Sequence, residues 1–152
     1  AEREYDHIVF TTPFGKVFDQ KGANYLSLSK NIMFITGHYK GIDDRVRQKF
    51  ATDLISIGNF VVSGGELPSL LVIDSIIRLI PGVLNDSESA LNDSFMVGHE
   101  ISAPDYTRPA EYRGMKVPEE LLSGNHKLIK EWQERESHAL TEYWKKNNYI
   151  AE

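Results

Sequence analysis

Glycine-containing stretches follow three predicted strands, and they are the first places in the sequence where chemistry could occur. The stretches are residues 12–15 (TPFG), 37–41 (GHYKG) and 63–68 (SGGELP). Glycine lets a ligand approach the backbone, whose N–H and C=O groups can then bind a polar small molecule. Because ligands bind at the carboxyl ends of parallel strands, three such loops favour a ligand cleft. Taken singly, each loop is more typical of a tight turn.

The spacing of these glycines excludes two common phosphate-binding loops. The sequence contains neither G-x-G-x-x-G nor G-x-x-x-x-G-K-[ST], so it offers no support for the dinucleotide or triphosphate sites that those motifs form. A cofactor held by backbone polar groups fits better. The five histidines form no H-E-x-x-H or other close ligand pair, and cysteine is absent, so we predict no zinc site.

Two charged residues stand in unusual surroundings. Arg78 lies in a predicted apolar helix, with Asp74 four residues earlier on the same face. From the residues alone, the simpler interpretation is a buried Asp74–Arg78 ion pair, because an unpaired charge in an apolar environment is costly. Asp93 follows a polar stretch, and aspartate at such a place is typical of a helix N-cap.

The last third of the sequence carries weaker signals. Residues 106–109 (YTRP) and 122–126 (LSGNH) combine aromatic and polar side chains, but turn formation and helix capping by Ser123 or Asn125 explain them. Five basic side chains there could contact phosphates: Lys127, Lys130, Arg135, Lys145 and Lys146. They alternate with glutamates, so a solvated helix face explains the pattern at least as well.

Three short runs of β-branched and aromatic residues predict the strands that position the loops. They are residues 7–12, 31–36 and 59–63. Residues 42–52 carry apolar side chains every four positions among charged ones, which predicts an amphipathic helix. Residues 66–80 are apolar almost all round, which predicts a buried helix that ends before Pro81. Alternating strands and helices indicate an α/β fold with a parallel sheet.

The chain is predicted to contain two parts. Residues 85–92 (NDSESALN) are polar without an apolar face, which is typical of a flexible linker. We therefore predict a domain over residues 1–84, a linker over 85–92 and a small all-helical module over 93–152. The chain begins with alanine in a charged stretch, which we interpret as an internal cut or a processed end and not as a secretory signal.

Length and composition limit the class of protein further. A chain of 152 residues, 41% hydrophobic and 26% charged, is typical of one globular domain with a small satellite. No apolar run approaches the roughly 18 residues of a membrane-spanning helix, so no membrane partner is expected. The net charge of -5 argues against general coating of nucleic acid. The absence of cysteine fits a reducing compartment, and we expect the cytoplasm.

Six strings, in order along nearly the whole chain, resemble the bacterial tRNA (guanine-N1)-methyltransferase family of the TrmD type. They are GHYKGIDDRV from residue 37, SIGNFVVSGGELP from 56, RLIPGVL from 78, SALNDSF from 89, YTRP from 106 and VPEELLSGNH from 117. The combination is far more specific than any single string.

The resemblance implies a SPOUT-class α/β fold whose parallel sheet carries a C-terminal trefoil knot, followed by a small helical domain that helps to hold tRNA. It implies an obligate homodimer that binds S-adenosylmethionine in the knotted loops and releases S-adenosylhomocysteine. The implied reaction methylates N1 of the guanosine 3′ of the anticodon. The expected partners are the tRNA anticodon stem-loop and a second copy of the chain, but not DNA. No residue pattern supports a divalent ion.

The resemblance also assigns residues. Asp93 matches the family's proposed general base, contributed from the partner chain, and Arg78 matches the arginine assigned to the guanine. Such a carboxylate would take the N1 proton, and such a guanidinium would stabilise charge that develops near O6. The cofactor loops match thirteen positions, namely Thr12, Pro13, Gly37, Tyr39, Gly41, Ser56, Ile57, Gly58, Phe60, Val62, Gly64, Gly65 and Pro68.

The sequence departs from the family's pattern in three places. His38 and Lys40 replace an arginine and a glutamate of many members, so the role of that acidic residue is not carried over, and Lys40 is a candidate contact to the nucleotide. Residues 98–106 diverge and are slightly longer. The family continues upstream of residue 1 through a strand, a helix and a glycine-rich loop, so the N-terminal part of its domain is missing from this sequence. We expect such a chain to bind the cofactor without completing turnover.

Three other interpretations stay open at this point. One is a non-catalytic cofactor- or RNA-binding module that keeps the loops but lacks a working base. Another is a SPOUT methyltransferase that acts on a different RNA. The third is a purely structural α/β dimerisation domain, which would bind no cofactor.

Overall fold

The computed structural model describes residues 4–39, 41–84, 93–96, 98 and 100–147. The chain divides into two compact units, Ala1–Ala90 and Leu91–Glu152. The division falls within residues 85–92, the predicted linker, which lies outside the described residues. No helix in the described ranges is both long and apolar enough to cross a membrane.

A three-stranded parallel sheet organises the first unit. Its strands are β1 (His7–Val17), β2 (Ile32–Ile35) and β3 (Asp53–Ser56), in the order β2-β1-β3. Val9 on β1 pairs with Phe34 on one side and with Asp53 on the other, so β1 is the central strand. The predicted α/β class with a parallel sheet is confirmed.

The third strand lies earlier in the chain than predicted. The prediction of a strand over residues 59–63 is wrong, because residues 53–56 pair with β1 and the later segment leaves the sheet. In that segment Phe60 and Val61 are 60% and 98% exposed, and both line a cavity instead of the core. The strand β3 begins with a polar residue, Asp53, whose Oδ2 lies 2.7 Å from His7 Nδ1.

Three helices follow the strands in this unit: α1 (Gln20–Leu26), α2 (Asp44–Phe50) and α3 (Glu66–Ile77). A helix within the predicted residues 42–52 is confirmed as α2, although it is shorter than predicted and none of its residues is buried, whereas α1 was not predicted. Asp19 marks the start of α1, because its carboxylate accepts the Gly22 N–H at 2.8 Å. Buried aliphatic side chains join the sheet to α1 and α3, namely Val9, Leu26, Ile55, Val72 and Ile76.

Only one face of α3 is buried. The buried residues are Pro68, Ser69, Val72 and Ile76. Three leucines elsewhere on the helix are more than half exposed, namely Leu67, Leu70 and Leu71. The prediction of a helix buried all round is therefore wrong for the described chain. A contiguous apolar patch of this kind is typical of a surface that contacts another protein.

The second unit contains a β-hairpin and two helices: β4 (Glu111–Tyr112), β5 (Met115–Lys116), α4 (Glu119–Leu122) and α5 (His126–Asn147). The prediction that this part is all helical is therefore wrong, although its long helix is present. Arg113 and Gly114 at the hairpin turn have φ angles of 51° and 82°. A two-residue type I′ turn requires that left-handed conformation at both positions.

Few buried residues anchor α5. Trp132 and Thr141 are its buried positions among the described residues. Thr141 Oγ1 accepts the Ile101 N–H at 2.9 Å, and Ser137 Oγ donates to the Ile101 carbonyl at 2.6 Å. The segment around Ile101 is thus fixed to the helix by side chains of the helix itself.

The start of α5 agrees with the capping predicted from the sequence, and its outer face agrees with the predicted solvated helix face. Asn125 Oδ1 accepts the Lys127 N–H at 3.1 Å, so Asn125 caps the helix. Lys127 Nζ lies 3.8 Å from Glu131 Oε1, one turn along. Lys130 and Glu134 repeat this spacing at 3.8 Å, so these charges pair along a solvated face.

Candidate functional site

A short excursion of β1 forms the first wall of the candidate site. Thr11 and Lys16 both pair with Ile55, so residues 12–15 leave the ladder between β1 and β3. Gly15 closes the excursion, because a Cβ at this position would lie 2.6 Å from the Ile55 backbone nitrogen. Glycine is therefore required where the chain returns to the strand.

The loops of residues 37–41 and 63–68 contact each other through the backbone atoms of their glycines. The Gly65 N–H donates to the Gly37 carbonyl at 2.8 Å, and a Cβ on Gly65 would lie 2.9 Å from the Gly37 nitrogen. Tyr39 (φ 55°) and Gly41 (φ 108°) take left-handed conformations. These two residues reverse the direction of the loop of residues 37–41, and the Gly41 N–H donates to the His38 carbonyl at 3.0 Å.

A side-chain pair reinforces this contact between loops. His38 Nδ1 lies 3.3 Å from Glu66 Oε1, and the backbones of His38 and Gly64 form a β-bridge. A Cβ on Gly64 would lie 2.9 Å from His38 Nδ1. Gly64 therefore makes room for the pair, a reason for its missing side chain that the sequence does not reveal. Lys40, the candidate nucleotide contact, lies outside the described residues.

The end of β3 forms a further edge of the site. Ser56 is buried, and its Oγ accepts the Gly58 N–H at 3.2 Å. Gly58 has a φ of 126°, and a Cβ there would lie 3.1 Å from the Phe60 ring. This tight turn carries the chain out of the sheet, and the exposed Phe60 follows it.

These loops border a cavity of about 430 Å³. This volume lies in the range of roughly 300–1,000 Å³ that is usual for small-molecule sites. All thirteen positions matched to the cofactor loops lie along it: Thr12, Pro13, Gly37, Tyr39, Gly41, Ser56, Ile57, Gly58, Phe60, Val62, Gly64, Gly65 and Pro68. The fold thus brings residues from separate loops to one small volume.

Sequence reasoning missed other residues of the lining. They are Phe10, Thr11, Phe14, Ile42, Asp44, Arg47, Ile55, Val61 and Ser63. Thr11 Oγ1 is buried and has no hydrogen-bond partner among the described residues. A polar atom of a bound ligand would satisfy that hydroxyl. Apolar side chains, hydroxyls and bare backbone together give a lining with both apolar and polar parts, as is usual in small-molecule sites.

Asp44 and Arg47 form the charged part of the lining. Arg47 Nε donates to Asp44 Oδ1 at 2.5 Å, and Arg47 Nη2 donates to Asp44 Oδ2 at 3.0 Å. The hydrogen bonds from Arg47, with a further one from Gln48, lower the pKa of Asp44 from 3.8 to about 2. The Arg47 guanidinium carbon also lies 5.4 Å from the centre of the Phe14 ring. This pair therefore connects α2 to the excursion of β1.

The two residues predicted to be catalytic are not among the described residues that line this cavity. Arg78 is the C-cap of α3, and its N–H donates to the Asp74 carbonyl at 3.2 Å. The predicted buried ion pair is wrong, because Asp74 and Arg78 are both exposed and Arg78 lies at the helix end. Asp93 is exposed in the second unit and opens a turn, in which the Met96 N–H donates to its backbone carbonyl at 3.3 Å.

The YTRP string forms one side of a groove of about 680 Å³ in the second unit. Val117 and Leu121 contribute to the other side. The Tyr106 ring lies edge-on to Trp132 with ring centres 6.0 Å apart, so this side of the groove is fixed to α5. No group of three or more potential metal ligands occurs within the described part of the chain.

The amino-acid sequence is similar to that of known proteins. The profile of the family described as "tRNA (Guanine-1)-methyltransferase TrmD" matches residues 1–150. The tRNA (guanine-N(1)-)-methyltransferase of Bacteroides fragilis is 56% identical over 137 residues, which cover 90% of this chain and 60% of that protein.

Two further relatives carry the same name. The protein of Cytophaga hutchinsonii is 59% identical over 133 residues, which cover 87% of this chain and 56% of that protein. The protein of Chlorobaculum tepidum is 52% identical over 141 residues, which cover 93% and 61%. The chain thus spans about 60% of the length of the curated relatives that it matches.

Proposed function

The chain belongs to the tRNA (guanine-1)-methyltransferase TrmD family, and from this premise we propose that it binds S-adenosylmethionine in the cavity of its first unit. We further propose that the reaction methylates N1 of the guanosine 3′ of the anticodon in tRNA. Because the relatives are longer than this chain, donor binding and the complete reaction are two separate proposals.

One observation carries the proposal for donor binding. The thirteen positions matched to the family's cofactor loops lie along one cavity of about 430 Å³. The cavity also fits the ligand chemically, because Thr11 Oγ1 needs a hydrogen-bond partner and the glycine loops expose backbone groups to it. When bound, S-adenosylmethionine would supply a methyl group on a positively charged sulfur.

Asp93 and Arg78 are proposed to act on the guanine. The Asp93 carboxylate takes the proton from N1, which frees the nitrogen lone pair for methylation. The Arg78 guanidinium donates hydrogen bonds toward O6, where negative charge grows as the proton leaves. Both residues are exposed in the described chain.

A homodimer is proposed because the family places Asp93 in the site of the partner chain. The exposed leucines of α3 support this, since Leu67, Leu70 and Leu71 offer an apolar surface to a second copy.

The backbone contact between Gly65 and Gly37 brings the loops of the proposed trefoil knot together. We also propose that the tRNA anticodon stem-loop contacts the second unit and that the protein acts in the cytoplasm.

Donor binding is tested by calorimetric titration of the chain with S-adenosylhomocysteine. The proposal predicts saturable binding and a higher unfolding temperature when the ligand is present. Absence of both effects would support the structural dimerisation domain instead.

The catalytic proposal is tested by Asp93→Asn in a protein that includes the upstream region of the family. We expect methyl transfer to tRNA to fall by at least 100-fold, the usual contribution of a general base being about 10²–10⁴. Binding of S-adenosylhomocysteine should be retained. Asp105→Asn, another exposed aspartate of the second unit, is the matched control. Unchanged turnover in Asp93→Asn would exclude Asp93 as the base.

A further inference from the structure

His38 and Glu66 form a pair that joins two loops of the cavity without lining the cavity itself. His38 belongs to the loop of residues 37–41, and Glu66 is the first residue of α3. His38 Nδ1 lies 3.3 Å from Glu66 Oε1, and the two side chains are 56% and 54% exposed. Among the described residues, both neighbours of His38 and the residue before Glu66 line the cavity, but the pair does not. The pair can therefore affect a ligand only through the loops.

Two further contacts fix the position of His38. Its backbone forms a β-bridge with Gly64, and its ring lies so close that a Cβ on Gly64 would be 2.9 Å from Nδ1. The ring centres of His38 and Tyr39 are 4.5 Å apart, with an angle of 74° between the planes. Tyr39 lines the cavity and is 92% exposed, so its ring has little other support. His38 thus contacts both loops and one ring of the lining.

The strength of these contacts depends on the charge of the imidazole. Histidine is the side chain whose charge usually changes between pH 5 and 8. A protonated ring is attracted to the Glu66 carboxylate and to the face of an aromatic ring, whereas a neutral ring is held more weakly. Glu66 and Tyr39 are the titratable side chains in contact with His38 in the described part of the chain. In the lining itself, the pKa of Asp44 is about 2, so this carboxylate stays ionised throughout that range.

We propose that His38 is a positioning residue of the cavity, and that its protonated form ties the loop of residues 37–41 to the start of α3 and raises the affinity for the methyl donor. The inference rests on the proposed donor site. Loops that are held together before binding lose less conformational entropy when the ligand arrives. Protonation strengthens the pair, so its contribution is present at low pH and is lost as the pH rises. Because exposed ion pairs contribute little, we expect an effect of about two- to fivefold.

The test is a calorimetric titration of the chain with S-adenosylhomocysteine at pH 6 and at pH 8. The parent chain should bind the ligand about two- to fivefold more tightly at pH 6. His38→Gln carries no charge at either pH and should show the parent's pH 8 affinity at both. His38→Arg stays charged and should show the parent's pH 6 affinity at both. Glu66→Gln should also abolish the pH dependence.

His7→Gln is the matched control. His7 is the other histidine of residues 1–84, and its Nδ1 also pairs with a carboxylate, that of Asp53, at 2.7 Å. It lies at the start of β1, whereas His38 follows the end of β2. This variant should keep the pH dependence of the parent chain.

Equal parent affinities at pH 6 and pH 8 would overturn the inference. A pH dependence that persists in both His38→Gln and His38→Arg would do the same, since it would arise from the ligand or from another residue. Loss of the pH dependence in His7→Gln would assign it to the wrong histidine. If the parent chain binds the ligand at neither pH, the proposed donor site itself fails. Unfolding temperatures of all variants at both pH values distinguish loss of binding from loss of structure.

Discussion

The two units stabilise their functional surfaces in different ways. The first unit buries a cluster of aliphatic side chains between its sheet and two helices, and its loops project from that support. The second unit holds its long helix through two buried positions, Trp132 and Thr141. The difference teaches that exposed apolar residues in the loops around the cavity cost the first unit little stability, because its core lies elsewhere. The stability of the second unit depends on a few individual side chains.

The strongest test of this comparison is Trp132→Ala. Trp132 is 4% exposed and its ring contacts Tyr106. We expect the second unit to lose about 3–5 kcal/mol of unfolding free energy, the usual cost of removing a buried tryptophan. Urea unfolding followed by circular dichroism measures the loss. Binding of S-adenosylhomocysteine to the first unit should persist, and a loss below about 1 kcal/mol would show that the unit has other support.

In the first unit, Gly65→Ala should have the next largest effect. The added Cβ would lie 2.9 Å from the Gly37 nitrogen and 3.1 Å from Thr11 Oγ1, so two loops must separate. We expect a loss of about 1–3 kcal/mol, typical of overpacking, together with weaker ligand binding. Gly22→Ala is the control, because Gly22 lies inside α1 and its Cβ would meet only a phenylalanine ring and its own capping aspartate at 3.2 Å or more. If the two variants were equally stable, the contact between the loops would not be close-packed.

Asn125→Ala tests the start of α5. Removing the side chain leaves the Lys127 N–H without its acceptor, which should cost about 1 kcal/mol. Asn125→Asp keeps an acceptor oxygen and should stay close to the parent. Hydrogen exchange at the Lys127 amide reports the change directly, and equal protection in all three proteins would contradict the capping role.

The smallest expected effect is the acid response of Asp44. Its pKa in the folded chain is about 2, below the ordinary 3.8, because of the hydrogen bonds from Arg47 and Gln48. A depressed pKa means that the pair contributes its full stability above about pH 4 and loses it as the pH falls through 2. A titration of the Asp44 carboxyl carbon by NMR should show a midpoint near 2. A midpoint at the ordinary value would mean that the hydrogen bonds do not form in solution.

The thirteen positions matched to the cofactor loops all line one cavity, whereas some of the elements predicted around them are wrong. Residues 59–63 resemble a strand because they are β-branched and aromatic, yet Phe60 and Val61 line the cavity. The leucines of α3 resemble those of a core helix, yet all three are exposed. Apolarity in a sequence indicates that a residue is to be covered, but it does not tell whether the core, a ligand or a partner covers it.

Other features needed the fold before they could be recognised. The spacing of Asp44 and Arg47 predicts an ion pair on a helix, but only the excursion of β1 brings Phe14 to that pair. The β4–β5 hairpin is too short for a periodic signal, although Arg113-Gly114 resembles a turn. The start of α1 could have been found, since Asp19 is a typical N-cap before Gln20–Leu26.

The excursion of β1 has a consequence for how this protein family can change. Ile55 faces both Thr11 and Lys16, so the strand resumes opposite the residue at which it departed. Lengthening or shortening residues 12–15 would therefore alter one rim of the pocket while strand order and pairing stay as they are. The shape of this rim and the order of the strands are thereby uncoupled, provided that glycine is retained at position 15, and this makes the segment suitable for redesign.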